Sequence, residues 1–582
     1  MIKRKDNIIY ISYIIIILIS SIPIFCPFLI RGHDIYFHLM RIEGLAEGLK
    51  SGQFPVKIQP VWYGGFGYAV SVFYGDLFIY PVAILRLFGV SLQNSYKCYL
   101  ALCNIMTILI SGYSFKGIFR NSYIGVFGSA LYSLSVYRLV NLYTRGALGE
   151  YTGMAFLPLI VYACVLLLDK EGKKETLKKG SALLGAGMAF ILQSHILTAE
   201  LTCLMLCGVA LLYIRRLLRL EVIINVLRAV AIALSLSLWF IVPLADYMLS
   251  GRCNISITRD DELMIQGLGI FISQIFPLFD NAVGESFDMS FGPQGDFAQG
   301  VGMGLFLALP VFFVLMIGYK RRFKASENKI AVTAALFSIL AITLSTLYFP
   351  WNFLSRLNGI FRYIIVKIQF PWRFTGIAAV CLTLLWCAVI MFICRILGNN
   401  KGIMLSAAVM CIVLVSAGHY YVDLLERGQR IVVKSSADMD SYVKSGEEYV
   451  PIGTDVNALR ADALALNKDV EITDYSMQGT EIEFHYRNIS DEDELIEMPL
   501  LYYTGYCAAY REEGKPEYIL KAEPGRNNVV SIMVKADTAG DVMLYFREPV
   551  LWRAAEIISL LSFVAMLAKY IKHQKKQRGA GK

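Results

Sequence analysis

The chain has 582 residues, of which 56% are hydrophobic and only 17% are charged. This composition and the mean hydropathy of +0.54 exclude an ordinary soluble enzyme and predict a mainly α, polytopic membrane protein. The formal net charge of +9 collects at the ends of apolar runs, so it gives no indication of a nucleic-acid partner.

Apolar runs that approach the length of a membrane crossing recur along the whole chain. The run 71–90 contains Asp76, Pro81 and Arg86, so we interpret it as interfacial or re-entrant rather than as a crossing. The remaining runs predict about 12 transmembrane helices. The predicted spans are 8–30, 97–116, 121–141, 151–168, 179–195, 197–214, 221–247, 301–318, 329–349, 374–395, 403–424 and 551–571.

Lys and Arg residues indicate the orientation of these spans, because short cytoplasmic loops carry an excess of positive charge. Placing the basic clusters inside makes both termini cytoplasmic. The clusters are 169–180, 215–219, 319–324 and 572–582. The predicted extracytoplasmic segments are then 31–96, 142–150, 248–300, 350–373 and 425–550.

The segment 425–550 differs from the rest of the chain because its composition is that of a soluble domain. Stretches such as 480–487 and 541–547 alternate apolar and polar residues between turn signals, which predicts a small β-sandwich. Such a domain either binds carbohydrate or only packs against its neighbours. The predicted domains are a transmembrane domain over 1–424, the extracytoplasmic β-sandwich over 425–550, and a last helix with a basic tail over 551–582.

The sequence "GHDIYFHLMRIE" follows the first apolar run and carries several charged and titratable side chains. Its apolar residues repeat every three to four positions, which predicts an amphipathic helix over 33–50 lying on the membrane interface. Asp34, His38 and Arg41 share another face of this helix. Asp34 is either a reactive carboxylate or a helix cap that pairs with Arg41.

Further charged residues lie at the predicted outer boundary, in the sequences "YTRGALGEY" and "IQFPWRF". Arg145 and Arg373 oppose the positive-inside bias, and basic residues on that side are suited to binding an anion. Taken alone, Arg373 is more typical of a side chain that extends to the interface beside aromatic residues. Together with Asp34 and Glu150, the two arginines indicate a site that handles a phosphorylated lipid.

Four stretches carry a family resemblance along nearly the whole chain: "GHDIYFHLMRIEGLAEGLKSGQFP", "WYGGFGYAVSVFYGDLFIYP", "RGALGEYTGMAFLPL" and "IQFPWRF". With them, the chain resembles the bacterial YfhO-type and the so-called 6-pyruvoyl-tetrahydropterin-synthase-related integral membrane proteins. These proteins resemble the GT-C glycosyltransferases. The 6 histidines are scattered, so we predict no pterin chemistry.

The resemblance implies a GT-C-like fold in the bacterial cell membrane and a catalytic role for the acid of the first outer loop, which is Asp34. The implied donor is a sugar on a polyprenyl phosphate, and the acceptor is a cell-envelope glycan or polymer at the outer face. We expect membrane lipid to be a further partner. The expected substrate-binding residues are His38, Arg41, Arg145, Glu150 and Arg373.

No cofactor is predicted, and the sequence leaves open whether a divalent metal is bound. The paired Asp-x-Asp motif of many GT-C enzymes is absent around Asp34, where the nearest further carboxylate is Glu43. Two other functions stay open. A transporter or flippase of a lipid-linked envelope precursor also uses intramembrane arginines, although it is expected to show internal repeats or discontinuous helices. A scaffold that presents the β-sandwich to the cell wall requires none of the outer-loop charges.

Overall fold

The structure is a computed structural model, and it describes residues 2–257, 265–279, 281–283, 297–322, 328–433, 439, 446–459, 469–512 and 514–579. The chain divides into two compact units. The first unit contains Met1–Ile35, Lys97–Leu234 and Arg259–Val432. The second unit contains Tyr36–Tyr96, Ser235–Thr258 and Val433–Lys582.

Helices dominate the first unit, and the second unit combines helices with two β-sheets. The helices of eight or more residues are Ile2–Ser20, Ile35–Lys50, Tyr80–Leu87, Leu92–Phe119, Ser122–Ser133, Leu157–Leu167, Lys174–Leu192, Ile196–Leu212, Leu220–Ser250, Ala308–Gly318, Lys329–Ser345, Gly359–Ile368, Phe374–Leu397, Asn399–Arg427 and Val550–Gly579. Shorter α-helices are Val70–Phe73, Val136–Leu139, Leu148–Met154, Ile214–Leu217, Met303–Phe306 and Trp351–Ser355.

Six helices in the described residues are long and apolar enough to cross a membrane, whereas the sequence predicted about 12. The larger number is therefore wrong by this criterion. Each of the six coincides with a predicted span. They are Leu92–Phe119, Leu148–Leu167, Leu220–Ser250, Pro371–Leu397, Asn399–Arg427 and Val550–Lys572.

Most of the other predicted spans are shorter or interrupted in the structure, whereas 179–195 lies mostly in the unbroken helix Lys174–Leu192, which begins with charged residues and is not among the candidate spans. The run 8–30 stops being an α-helix at Ser20, before Pro23, and the run 121–141 changes from a 12-residue helix to a short helix and a π-helical turn. Pro, Gly and Ser residues in these runs favour such breaks, which hydropathy alone does not detect. The apolar helices of intermediate length are Asn7–Ser20, Ile196–Leu212, Met303–Gly318 and Lys329–Ser345.

The predicted interfacial helix over 33–50 is present as Ile35–Lys50, but it does not expose a polar face. Leu39 and Ile42 are buried as expected, and His38 and Arg41 are buried as well. Both the apolar side of the helix and the side that carries His38 and Arg41 are therefore buried in the protein. Protein partners stabilise the buried charges of this helix, as described below for Arg41.

Two antiparallel sheets form the described β-domain, where the sequence predicted a β-sandwich over 425–550. Residues 434–438, 440–445, 460–468 and 513 of that range lie outside the described residues. Tyr510 of one sheet donates a hydrogen bond to the carbonyl of Met533 in the other, at 2.8 Å. In spatial order, the five-stranded sheet is Val470–Gln478, Glu481–Asn488, Ala539–Phe546, Tyr506–Glu512 and Tyr518–Lys521. The three-stranded sheet is Glu494–Leu501, Val529–Val534 and Glu523–Pro524.

Alternating burial gives this domain its core, as the sequence pattern predicted. In Glu481–Asn488 the buried residues include Ile482, Phe484 and Tyr486, and the residues between them are partly or fully exposed. The first unit contains one further strand pair, in which Leu29–Ile30 is antiparallel to Arg430–Ile431. The first strand of this pair, Leu29–Ile30, lies just before Asp34 in the sequence.

Candidate functional site

Glu150 is the centre of a buried polar cluster in the first unit. Its side chain is about 4% exposed, and each carboxylate oxygen accepts a hydrogen bond. Arg145 Nη1 lies 2.8 Å and Arg373 Nε 3.3 Å from Oε2, while the Tyr137 hydroxyl donates to Oε1 at 2.6 Å. One carboxylate therefore keeps two like-charged guanidinium groups close together, an arrangement that is unfavourable without it.

A π-helical turn places Arg145 in this cluster. Helix Val136–Leu139 continues into the π-helical segment Val140–Arg145, which ends at Gly146 with a left-handed φ of 65°. Arg145 Nη1 also donates to the side-chain oxygen of Asn141. The wider turn shifts the side chains relative to a regular helix, and such turns are frequent at functional sites.

Arg373 lies at the start of a long apolar helix, in the turn Pro371–Arg373. Its Nη1 donates to the Ile368 carbonyl at 3.3 Å and to Gln369 Oε1 at 2.9 Å, and its guanidinium carbon lies 5.0 Å from the centre of the Phe370 ring. The sequence allowed Arg373 to be a side chain extending to the interface. In the structure it is buried and bonded to a carboxylate instead.

The backbone places Asp34 beside Arg145. The Asp34 amide donates to the Arg145 carbonyl at 2.9 Å. Gly32 makes this approach possible, because a Cβ at that position would lie 2.9 Å from the carbonyl oxygens of Thr144 and Arg145. A larger residue at position 32 would push the two segments apart.

The Asp34 carboxylate is not part of the Glu150 hydrogen-bond cluster. It accepts no hydrogen bond from any residue that the structure describes, and part of the residue stays accessible. Desolvation by the surrounding protein raises the pKa of Asp34 above its ordinary value, and the charge of Glu150 adds to this effect. Arg145 and Arg373 oppose the rise. Among the described residues, the Asp34 oxygens thus have no hydrogen-bond donor, while the charges of Arg145 and Arg373 act on the carboxylate.

The two guanidinium groups retain donors of their own. Nε and Nη2 of Arg145 and Nη2 of Arg373 have no hydrogen-bond partner among the described residues. Guanidinium donors held in a fixed geometry are suited to the oxygens of a phosphate. The cluster therefore combines anion-binding donors with a carboxylate that can accept a proton.

His38 and Arg41 belong to the second unit, where Arg41 has protein partners. Arg41 Nη2 forms a buried ion pair with Asp76 and donates to the Gly75 carbonyl at 2.9 Å. Its guanidinium carbon lies 4.0 Å from the centre of the Tyr74 ring, and Nη1 lies 3.3 Å from His38 Nδ1. The pairing of Arg41 with Asp34 that the sequence left open is replaced by pairing with Asp76. Substrate binding by His38 and Arg41 stays a prediction.

Sequence reasoning missed three members of the cluster: Tyr137, Asn141 and Gln369. The first two precede Arg145 at steps of four, a spacing that places side chains along one side of a helix. This spacing could have indicated that Tyr137 and Asn141 lie beside Arg145. Gln369 adopts a positive φ of 58° just before the turn that carries Arg373, and nothing in the sequence indicated that conformation.

A divalent metal is not suited to the residues that the structure brings together. Within the described ranges, no group of three or more His, Cys, Asp or Glu side chains is arranged to hold a metal ion. The Glu150 carboxylate is bonded to two guanidinium groups, whereas Mg²⁺ and Ca²⁺ bind through several oxygen ligands. We derive no chemical step through a metal.

Comparison with known sequences identifies one full-length relative. No protein-family model matches the chain. The chain is 21% identical over 621 residues to an uncharacterised protein of Lactococcus lactis subsp. cremoris, in a match that covers 97% of this chain and 95% of that protein. The resemblance to YfhO-type and pterin-synthase-related proteins is not confirmed.

Two solved structures match most of the chain at low similarity. The archaeal oligosaccharyltransferase AglB from Archaeoglobus fulgidus, in complex with an inhibitory peptide and a dolichol-phosphate, is 13% identical with a TM-score of 0.37 and covers 75% of this chain. The chain spans 56% of the length of AglB. ArnT from Cupriavidus metallidurans bound to undecaprenyl phosphate is 12% identical with a TM-score of 0.35, and the match covers 73% of this chain and 76% of ArnT. Because these TM-scores are low, we base no argument on the likeness.

Proposed function

We propose that the chain is a membrane glycosyltransferase of the GT-C type. It transfers a sugar from a polyprenyl-phosphate-linked donor to a cell-envelope acceptor at the outer face of the cytoplasmic membrane. The observation that carries the proposal is the Asp34 carboxylate, free of hydrogen bonds from described residues, beside Arg145 and Arg373. The family resemblance of the sequence supplies the substrate class.

Asp34 is the general base in this proposal. It accepts the proton of an acceptor hydroxyl while the hydroxyl oxygen attacks the anomeric carbon of the sugar. The new carbon–oxygen bond forms as the bond to the lipid phosphate breaks, and the phosphate departs with the electron pair. A pKa raised above the ordinary carboxyl value makes the ionised form of Asp34 a stronger base than a solvated aspartate.

Arg145 and Arg373 bind the departing phosphate. The phosphate gains negative charge in the transition state, so donors that are fixed before the reaction lower the barrier without reorganisation. One such donor is worth about 3 kcal/mol. The free nitrogens of the two side chains supply donors of this kind.

Glu150 is a positioning residue in this proposal rather than a group that touches the substrate. Both of its oxygens are already engaged, by two arginines and by Tyr137. Its function is to keep the two guanidinium groups together in the substrate-free protein. The sequence-based expectation of direct substrate binding by Glu150 is therefore narrowed to an indirect role.

A transporter or flippase of a lipid-linked precursor is the second candidate, and the discontinuous helices around the site favour it. The helical structure is interrupted between Ser133 and Val136 and again around Gly146. Such interruptions are typical of transporter binding sites. A transporter moves its cargo unchanged, whereas a transferase consumes the lipid-linked sugar. Proton acceptance by Asp34 is required only for the transferase.

The test is an analysis of lipid-linked sugars in cells that lack the protein. Cells complemented with the wild type, with Asp34→Asn or with nothing are compared by mass spectrometry of the polyprenyl-phosphate fraction. The proposal expects one sugar-linked lipid to accumulate both without the protein and with Asp34→Asn. If the sugar-linked lipid accumulates in cells without the protein but not in cells that carry Asp34→Asn, the transporter is favoured. If no lipid-linked sugar changes in amount, both candidates are contradicted.

A further inference from the structure

A second site candidate in the first unit is a cavity of about 380 Å³ among four helices. The helices are Leu157–Leu167, Ile196–Leu212, Lys329–Ser345 and Phe374–Leu397. None of its lining residues belongs to the Glu150 cluster. The cavity is therefore separate from the proposed transfer site.

The body of the cavity is apolar. Its walls include Val161, Met205, Val209, Phe337 and Leu384. Its volume is at the lower end of the range for ligand sites, which suits one acyl chain rather than a whole lipid. An apolar cleft between membrane helices is a favourable place for such a chain.

One end of the cavity is positively charged. Lys170 follows the first of the four helices, Arg216 follows the second, and Lys329 is the first residue of the third. Arg216 Nη1 donates to the Leu168 carbonyl, which anchors this side chain at the cavity. In the described part of the chain the three cations form no ion pair with a carboxylate, although Asp169 also lies at this end.

From this geometry we infer that the cavity binds an anionic phospholipid. One acyl chain occupies the apolar body, and the phosphate lies among Lys170, Arg216 and Lys329. Basic pockets between membrane helices are known to suit anionic lipid headgroups on the cytoplasmic side. The predicted topology places 169–180 and 215–219 on that side. A free phosphate ion fits the charges but leaves the apolar body unfilled.

The experiment measures lipid binding to the purified full-length protein in detergent. Phosphatidylglycerol, phosphatidylcholine and glycerol phosphate are titrated separately, and binding is followed by native mass spectrometry and by the thermal unfolding midpoint. We expect phosphatidylglycerol to bind and to raise the midpoint. Phosphatidylcholine is expected to bind more weakly because it has no net charge, and glycerol phosphate because it has no acyl chain.

Variants assign the binding to this cavity. A basic side chain near a membrane surface strengthens the binding of anionic lipid about fivefold, so the combined Lys170→Ala, Arg216→Ala and Lys329→Ala variant is expected to lose about a hundredfold in phosphatidylglycerol affinity. The matched control removes three charges from the neighbouring loop and helix outside the cavity, with Lys173→Ala, Lys174→Ala and Lys178→Ala. Lys329→Gln alone, at an exposed helix end, provides a mild variant with an expected loss of about fivefold.

Three results would overturn the inference. The first is equal binding of phosphatidylglycerol and phosphatidylcholine, and the second is an equal loss in the control variant. The third is glycerol phosphate binding as tightly as phosphatidylglycerol, which would assign a free-phosphate site instead. Val209→Trp tests the acyl chain, since it fills the apolar body and is expected to weaken phosphatidylglycerol at least tenfold while the three cations stay in place.

Discussion

Glu150 offers a sharp test of the site because one substitution removes the charge that holds two arginines together. Glu150→Gln keeps the size of the side chain and an acceptor for the Tyr137 hydroxyl. It removes the counter-charge of Arg145 and Arg373, which lie 2.8 and 3.3 Å from the same oxygen. Because all three charged side chains are buried, the substitution leaves two cations without a hydrogen-bonded counter-charge, while the charge of Asp34 still favours both of them.

The expected cost is large. Removing one partner of a buried ion pair typically lowers the free energy of unfolding by about 3 to 5 kcal/mol. For a unit of this size that corresponds to a fall of about 5 °C in the thermal unfolding midpoint. The proposed transferase should also lose turnover, because each displaced phosphate donor costs about 3 kcal/mol in the transition state.

The assay compares Glu150→Gln with a matched control from the second unit. Glu512 is another buried carboxylate, with Tyr518 and Lys515 as partners, so Glu512→Gln is expected to destabilise the sheet domain without lowering turnover per folded molecule. Thermal unfolding is followed by tryptophan fluorescence in detergent, and turnover by loss of the lipid-linked sugar. An unchanged midpoint together with unchanged turnover for Glu150→Gln would refute the role of Glu150 in positioning the arginines.

Three further predictions use the same preparation. Arg373→Lys keeps the charge but loses the planar group that bonds Glu150 and Gln369, so the affinity for the lipid-linked sugar donor should fall about tenfold while membrane insertion stays normal. An unchanged affinity would leave Arg373 a structural residue. As the pH drops, kcat/KM should fall with an apparent pKa above the ordinary 3.8, because the pKa of Asp34 is raised and protonated Asp34 accepts no proton. This fall on the acid side should also be seen in Glu150→Gln. Its loss in that variant would make Glu150 the base. For topology, Asp491→Cys in an exposed turn of the β-domain should react with an impermeant thiol reagent on intact cells more than the parent protein does, and Glu171→Cys should not. The opposite pattern would invert the predicted orientation.

The fold was predictable where a long apolar run also forms one unbroken helix. All six candidate spans coincide with predicted runs, because length and hydropathy are sufficient there. The excess in the predicted number came from runs that the chain interrupts, such as 121–141 with its π-helical turn. Alternation of apolar and polar residues also predicted the strands, because one side of each is buried.

The candidate site was predictable as a set of charges but not as an arrangement. Glu150 and Arg373 are 223 positions apart in the chain, and Arg41 and Asp76 are 35 apart. No periodicity links residues at such separations, so a single sequence does not decide which cation meets which carboxylate. The same reason explains why the sequence did not predict the buried ion pair of Arg41 with Asp76.

The central claim is that Asp34 accepts a proton during sugar transfer, and turnover by purified Asp34→Asn tests it most directly. Asn has nearly the size of Asp, and the Asp34 carboxylate accepts no hydrogen bond from a described residue, so the free energy of unfolding should change by no more than about 1 kcal/mol. Loss of a general base lowers the rate by about 10²- to 10⁴-fold. The account predicts a stable Asp34→Asn protein whose consumption of the lipid-linked donor falls within that range. A stable Asp34→Asn protein with near-normal turnover would contradict it.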